Sequence, residues 1–375
     1  MKSIKSMMMG GAIVFSLSMM FTSCEGALDD LLGEWSRPTP GNNTPSGGGS
    51  STINATAITL SQTMKVIKLG GDALTINVTF TPSDATDKSV TWTSKDPNIA
   101  TVDNGVVTAK SLGITTITAK SGDLTATCEV FVGTEVDDVS TRNPIQDYDI
   151  LAGTQNSAFI TIPNGYHVAF NGVNTNRTVI CSGDATIYLT DGSVNDVTVT
   201  AAGDAGIRAG GAGTTLTINA ETEGTGQLIA KSSLFCAGIG TGTSTTSDLQ
   251  CGDITINGGT VTATGSSGGA GIGTGTSASS NQICGNITIG TGITSVKATR
   301  GGSISSSIGE GSKSSTASQS CGKIKFGTAQ VFDGSSWDAS INFNVDGNYG
   351  PFGGLNLAIT TTTNPNDTWT LTPAP

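Results

Sequence analysis

Residues 251–273 read "CGDITINGGTVTATGSSGGAGIG", and the fold turns on whether the glycine-rich end of this stretch cradles a phosphate or forms the corner of a repeat. Extended to Ser277, that end is "GGAGIGTGTS". A phosphate loop of the GxxxxGK[ST] type needs a lysine for the phosphates and a helix behind it. Here there is no lysine, and the chain continues into "ASSNQICG". A dinucleotide fingerprint occurs once, between a strand and a helix. The strings "GIRAG", "GIGTG", "GIGTG" and "SIGEG" instead recur as four equivalent copies, aligning Ile207, Ile239, Ile272 and Ile308. The glycines are therefore expected to make a tight corner and a thin wall, with the isoleucine as the one bulky inward residue.

Working outward, the whole region repeats with an irregular period of about 33 residues. A first segment reads "TIYL", "TLTI", "DITI", "NITI" and "KIKF", placing Ile187, Leu216, Ile254, Ile287 and Ile324 in one row. A second reads "VTVTA", "LIAK", "VTAT" and "VKAT", aligning Val197, Leu228, Val261 and Val296. These segments are too short and too rich in Thr, Val and Gly for helices, and their apolar residues alternate. Three strands per unit predict a parallel β-solenoid in which each coil buries its inward row against the coils above and below, at a strand spacing of roughly 4.8 Å. The repeats also resemble a family of surface proteins whose units read CG-x-ITI-x-GGTVTA followed by GAGIG. The likeness runs from about Ala158 to Gly327 and implies a repetitive extracellular scaffold without a known enzymatic role.

Residues 55–132 alternate with period 2 through "ALTINVTF", "SVTWTS", "IATVDNGVVTA", "ITTITA" and "TATCEVFV", with turn signals about every ten residues. The string "TPSDATDKSVTWTSKDPNIATVDNGVVTAKSLGITTITAKSGDLTATCEVFV" closely resembles the bacterial immunoglobulin-like domain of group 2. That resemblance implies a β-sandwich that serves as a spacer or as part of an adhesin. Trp92 is expected in its core and Cys128, alternating with Ala126 and Val130, as a buried thiol.

At the N-terminus, Lys2 and Lys5 precede the apolar run "MMMGGAIVFSLSMMF", which ends in "FTSC". A short apolar core of this kind reads as a signal peptide. The cysteine after small residues resembles a bacterial lipoprotein signal, so Cys24 is the expected lipidation site. Glu25, Asp29 and Asp30 follow it, similar to export signals of some Gram-negative surface lipoproteins. The Pro/Gly/Ser/Asn stretch "RPTPGNNTPSGGGS" then reads as a flexible tether.

The expected organisation is all-β: a signal peptide over 1–23, an acidic N-terminus and tether over 24–54, an immunoglobulin-like β-sandwich over 55–132, a right-handed parallel β-helix over 133–332 and a C-terminal cap over 333–375. The 375 residues carry a formal net charge of −11 and only 18 basic side chains. That balance does not fit a nucleic-acid partner, which needs clustered Lys and Arg. It also leaves attachment to a membrane to the lipid alone.

Cofactor and metal sites are not expected. There is no CxxC, and His167 is the one histidine. Cys251, Cys284 and Cys321 open a "CG" at the same place in successive units, so they should stack in a column, as thiols rather than as fully paired disulfides. A polysaccharide lyase or hydrolase would need grouped carboxylates. The row Thr215, Asp253, Asn286, Lys323 and the outward row Tyr188, Thr217, Thr255, Thr288, Lys325 stack no two of them, and Asp191, Asp196 and Asp204 lie at turn signals. Tyr188 and Lys325 interrupt the threonine row, which weakens an ice-binding reading. In the C-terminal segment, Trp337, Tyr349, Phe352 and Trp369 are candidates for stacking on sugar rings. The expected function is non-catalytic adhesion or carbohydrate binding at the cell surface, with polysaccharide or a host or neighbouring cell as partner; a purely structural surface protein and an enzyme are the alternatives.

Overall fold

Val, Ile and Thr are stiff at χ1 and sit well on a pleated surface. In the computed structural model their abundance yields strands and no α-helix among the described residues, which are 52–200, 203–242, 248–276, 281–302, 305–312, 318–336, 338, 347–360 and 367–375. Cys24 and Trp337 lie outside them.

The N-terminal part is an immunoglobulin-like domain. One sheet runs from Thr91–Ser94 through Gly113–Ser121 and Leu124–Val136 to Met64–Lys68, the last pair parallel. Facing it, Leu74–Thr75, Val106–Ala109 and Ala100–Asp103 form an antiparallel set. Between them lie Ile67, Ile76, Ala100, Val107, Ile117, Cys128, Val130 and Val132, with Trp92 partly buried at their side. The "DNG" hairpin closes through Asn104 (φ 48°) and Gly105 (φ 82°). A Cβ on Gly105 would meet Ile76 O at 2.5 Å and the Trp92 ring at 3.0 Å, so the positive φ and the Ile76 carbonyl demand glycine there.

Beyond it the strands stack in parallel ladders, in register from one repeat unit to the next. The first stack comprises Tyr166–Thr175, Ala185–Leu189, Thr215–Ala220, Asp253–Ile256, Ile287–Ile289 and Ile324–Phe326. The second comprises Asp149–Thr154, the end of Tyr166–Thr175, Val194–Thr198, Gln227–Lys231, Gly259–Thr264 and Ile293–Thr299. The third aligns Ile160, Val179, Ile207, Ile239, Ile272 and Ile308. A short fourth stack holds Leu249–Cys251, Gln282–Cys284 and Gln319–Cys321. Inward residues of all sides meet in one core, in which each fully buried aliphatic side chain contributes roughly 1.5–3 kcal/mol.

The glycines that follow Ile239 and Ile272 leave no room for a side chain. Gly240 and Gly273 have φ of 139° and 133°, and a Cβ on either would lie within 2.0 Å of the carbonyl oxygen of the equivalent glycine one unit on.

Two rows differ from the string alignment at their first member. Leu216 pairs with Ala185, and Ile187 with Ile218. In the second stack Leu228 pairs with Asn195, and Val197 with Ala230. Both shifts are of two residues, which keeps every side chain on its face, so alternation alone cannot detect them. The register is held locally: Thr215 N donates to Asp184 Oδ1 at 2.7 Å. Asn195, fully buried in an otherwise apolar row, accepts from the amides of Gly172 and Val173 at 2.9 Å each and donates to Ser193 Oγ and Gln227 O at 3.0 Å each.

The strand Leu124–Val136 runs straight through the position where the sequence period changes. Its first part belongs to the immunoglobulin-like sheet, and Thr134–Val136 pairs in parallel with Asp149–Leu151. Around it Met64, Phe131, Ile150, Ala169 and Tyr188 form a shared core. Phe131 meets Tyr188 at 5.2 Å and Tyr148 at 5.7 Å between ring centroids. Glu221 accepts from Lys65 Nζ (2.9 Å), Val66 N (2.7 Å) and Asp191 N (2.7 Å), and Thr222 Oγ1 accepts from the amides of Thr63 and Met64. The two parts are joined without a flexible linker.

At the far end the last strands of the first two stacks are covered by antiparallel pairing. Ala329–Phe332 folds back on Ile324–Phe326, and Thr368–Pro373 pairs with both Ile293–Thr299 and Leu355–Thr360.

Candidate functional site

The first stack presents an outward column of His167, Thr186, Thr217, Thr255, Thr288 and Lys325, one residue per rung. Tyr188 is not in it. The two-residue shift puts Thr186 there and sends Tyr188 to the junction, where burial, first of all, raises its phenol well above the usual range and its hydroxyl donates to Glu129 Oε1 at 3.3 Å. The expected interruption by Tyr188 is thus corrected, and four threonines stand in unbroken register, all partly exposed. The second stack adds outward rows of Gln227, Thr260, Ser295 and of Lys231, Thr264, Thr299. Alternation creates the first face: Thr186, Thr217, Thr255 and Thr288 each lie between two inward aliphatic residues that fix the backbone, so the hydroxyls repeat at about 4.8 Å along the stack.

The polar residues at the turns are engaged between successive repeat units. Asn164 Oδ1 accepts from Asp184 N (2.8 Å), Asp253 Oδ1 from Asn286 N (2.7 Å), and Asn286 Oδ1 from Lys323 N (2.9 Å). A second ladder runs from Asp248 to Asn281 N and from Asn281 to Ser318 N. Among the three turn aspartates, Asp191 accepts from the amides of Glu223 and Thr225, Asp196 from Thr198 Oγ1 at 2.5 Å, and Asp204 pairs with Arg208. Buried Asp149 takes a bidentate Arg142 at 2.7 and 2.6 Å. Hydrogen bonds from Ser336 and Ser335 hold Asp333 well below the usual carboxylate range. His167 lies face to face with Tyr148 (5.7 Å, 6°), with Nδ1 3.6 Å from Asp147 Oδ1. Among the described residues no three His, Cys, Asp or Glu side chains converge as metal ligands.

The C-terminal aromatics require a correction. Trp369, opposite Ala298 and Ile359, is 4% exposed, and Phe352 lies edge-on to Phe326 at 6.4 Å. Both rings belong to the core, because the antiparallel strands that carry them cover the end of the apolar stack, so neither offers a face to a sugar. Tyr349 is partly buried against the same core.

The sequence reading missed Phe159. It is 51% exposed beside a groove of about 380 Å³ lined by Val139, Pro144, Ile145, Gln155 and Pro163 at the first rung of the third stack. Its signal is an aromatic directly before the first "ITI" of the series, where no earlier coil exists to bury it.

Residues 54–130 match the bacterial Ig-like domain (group 2). Among curated proteins, the chain is similar to an uncharacterised protein of Clostridium acetobutylicum, 42% identical over 84 residues, which are 21% of this chain and 9% of that protein. It is 40% identical over 84 residues to an Ig-like virion protein of Serratia phage KSP90, covering 21% of this chain and 32% of the relative. A 3-O-alpha-D-galactosyl-alpha-L-arabinofuranosidase of Bifidobacterium longum subsp. longum is 48% identical over 52 residues, 14% of this chain and 5% of the enzyme. The chain thus spans a third or less of each relative.

Proposed function

We propose that this is a non-catalytic cell-surface lipoprotein in which the immunoglobulin-like domain carries a right-handed parallel β-solenoid, capped at its C-terminus, that contacts polysaccharide or a neighbouring cell through its neutral hydroxyl faces. The observation that carries this reading is the unbroken column Thr186, Thr217, Thr255, Thr288. Evenly spaced hydroxyls suit weak, repeated contact with a polymer that is itself periodic. Each such hydrogen bond adds about 1 kcal/mol net, so useful affinity comes from many copies on one surface. Attachment through lipid on Cys24 and a tether supplies that density. Replacing Cys24 by Ala should move the protein from the membrane to the soluble fraction, and retention in the membrane would defeat the anchor.

A purely structural role is the second reading. The linker-free junction at Phe131 favours it, since a stiff rod suits a spacer. A glycan array run beside a polysaccharide-degradation assay separates the classes. Binding without turnover is expected; no binding at any density would leave the spacer, and turnover of any polymer would make the protein an enzyme.

A further inference from the structure

We propose that Cys251, Cys284 and Cys321 form a redox site that carries a single disulfide, closed between Cys284 and either of its two neighbours. The three residues pair in register on successive strands of the fourth stack, and all three side chains are buried thiols. Cys251 Sγ donates to Cys284 Sγ at 2.8 Å. Closing a bond of about 2.05 Å therefore asks each sulfur to move only a few tenths of an ångström. In-register neighbours on parallel strands, roughly 4.8 Å apart, lie within the Cα range that disulfides span. Cys251 and Cys321 are two coils apart, about 10 Å, and cannot be joined directly. Cys284 is thus the obligatory member, and the column holds one bridge and one thiol.

The chemistry is exchange with an external small disulfide while the coils form. The Cys284 thiolate attacks one sulfur of that disulfide, whose S–S bond breaks and whose leaving thiolate takes the proton lost by Cys284. Cys251 then attacks Cys284 Sγ and releases the second external thiolate, which takes the proton of Cys251. The column loses two electrons and the external disulfide becomes two thiols. Attack by Cys321 on Cys284 displaces Cys251 and moves the bridge one coil without net oxidation. In the folded protein, hydrogen bonding to Cys251 and Cys321 and then burial hold the Cys284 thiol above its ordinary range. The first attack by Cys284 on the external disulfide should accordingly speed up with pH.

The fourth stack has only three strands, of three residues each. A bridge there staples consecutive coils beside this short ladder. In a cell the oxidant comes from an exporting compartment, which rests on the surface reading; the chemistry itself does not.

The test is to refold the reduced full chain in a buffer of oxidised and reduced glutathione, alkylate the remaining thiols and map cross-linked peptides by mass spectrometry. Wild type should show one bridge per molecule, a loss of about 2 Da, linking Cys284 to Cys251 or Cys321. Cys251→Ser should give only the 284–321 bridge, Cys321→Ser only the 251–284 bridge, and Cys284→Ser none. Complete alkylation of the column in wild type, or a bridge in Cys284→Ser, would overturn the proposal. Should refolding fail, the same map on protein alkylated directly from a bacterial periplasm decides on the same outcomes. Loss of the bridge leaves the Cys24 fractionation result untouched, so the two readings fail separately.

Discussion

Replacing Phe131 by Ala should uncouple the immunoglobulin-like domain from the stacked strands while leaving the distal coils intact. Phe131 is fully buried, and its ring touches Tyr148 and Tyr188 across the junction. Truncating a buried Phe costs roughly 3–5 kcal/mol, within which the two ring contacts account for about 0.5–1.5 kcal/mol each. Three and four rungs beyond Tyr188, Ile287 and Ile324 keep all their neighbours, so the loss should stay local. Hydrogen exchange read by mass spectrometry resolves this. In wild type, Met64–Lys68 and Asp149–Thr154 should open with similar free energies, as one cooperative unit. In Phe131→Ala their protection should fall by about a thousandfold, at roughly 1.4 kcal/mol per factor of ten, with Asp253–Ile256 unchanged. Tyr188→Phe removes the hydroxyl's bonds with Glu129, at 3.3 Å, and with Asn219 and should cost about 1–2 kcal/mol, less than Phe131→Ala. Less than a tenfold loss at Met64–Lys68 in Phe131→Ala, or an equal loss at Asp253–Ile256, would refute the shared core.

Gly273→Ala should destabilise by more than about 3 kcal/mol in urea unfolding, because its Cβ would stand 2.0 Å from Gly309 O at φ 133°; Gly192→Ala, with φ 74° and nothing within 4 Å, should cost only about 1 kcal/mol. Asn195→Ala should cost roughly 2–4 kcal/mol, and Asn195→Leu should not restore it, because the amides of Gly172 and Val173 stay unpaired in either case. Burial pushes the thiols of Cys128 and Cys181 up to about 12 from an ordinary 9.0. Their contribution is fully present below pH 9 and is lost as the pH rises from 9 towards 12, at up to about 1.4 kcal/mol per pH unit for each thiol. Urea midpoints at pH 8 and pH 10.5 should show this fall, and Cys128→Ala with Cys181→Ala should flatten it.

The inward rows were legible because their period of 2 and unit of about 33 residues leave little choice of face. The immunoglobulin-like part was legible through its turn residues, Asn104 and Gly105 above all. What the alternation could not carry was register: a shift of two residues at Ile187 and Val197 preserves burial, and only the bonds of Asp184 and Asn195 resolve it. Tyr188 looked like a break in a threonine row because the partner it docks against, Phe131, lies 57 residues earlier in the chain. Trp369 reads as exposed beside Asp367, and Phe352 as one of the few aromatics of this segment, yet antiparallel pairing turns both onto the end of the core. Sequence proximity to Asp or Asn reports on turns, not on which side of a covering strand a ring falls.

The measurement that bears most directly on the proposed function is binding of the glycans found on the array, by the wild-type protein and by a triple Thr217→Val, Thr255→Val, Thr288→Val variant, each immobilised at high density. Valine keeps the strand preference and nearly the shape of threonine while deleting the hydroxyl, so the variant should unfold at an unchanged urea midpoint. The expected result is a loss of at least tenfold in apparent affinity, as three contacts of about 1 kcal/mol each are removed. Undiminished binding by the folded variant would contradict the hydroxyl column as the contact surface.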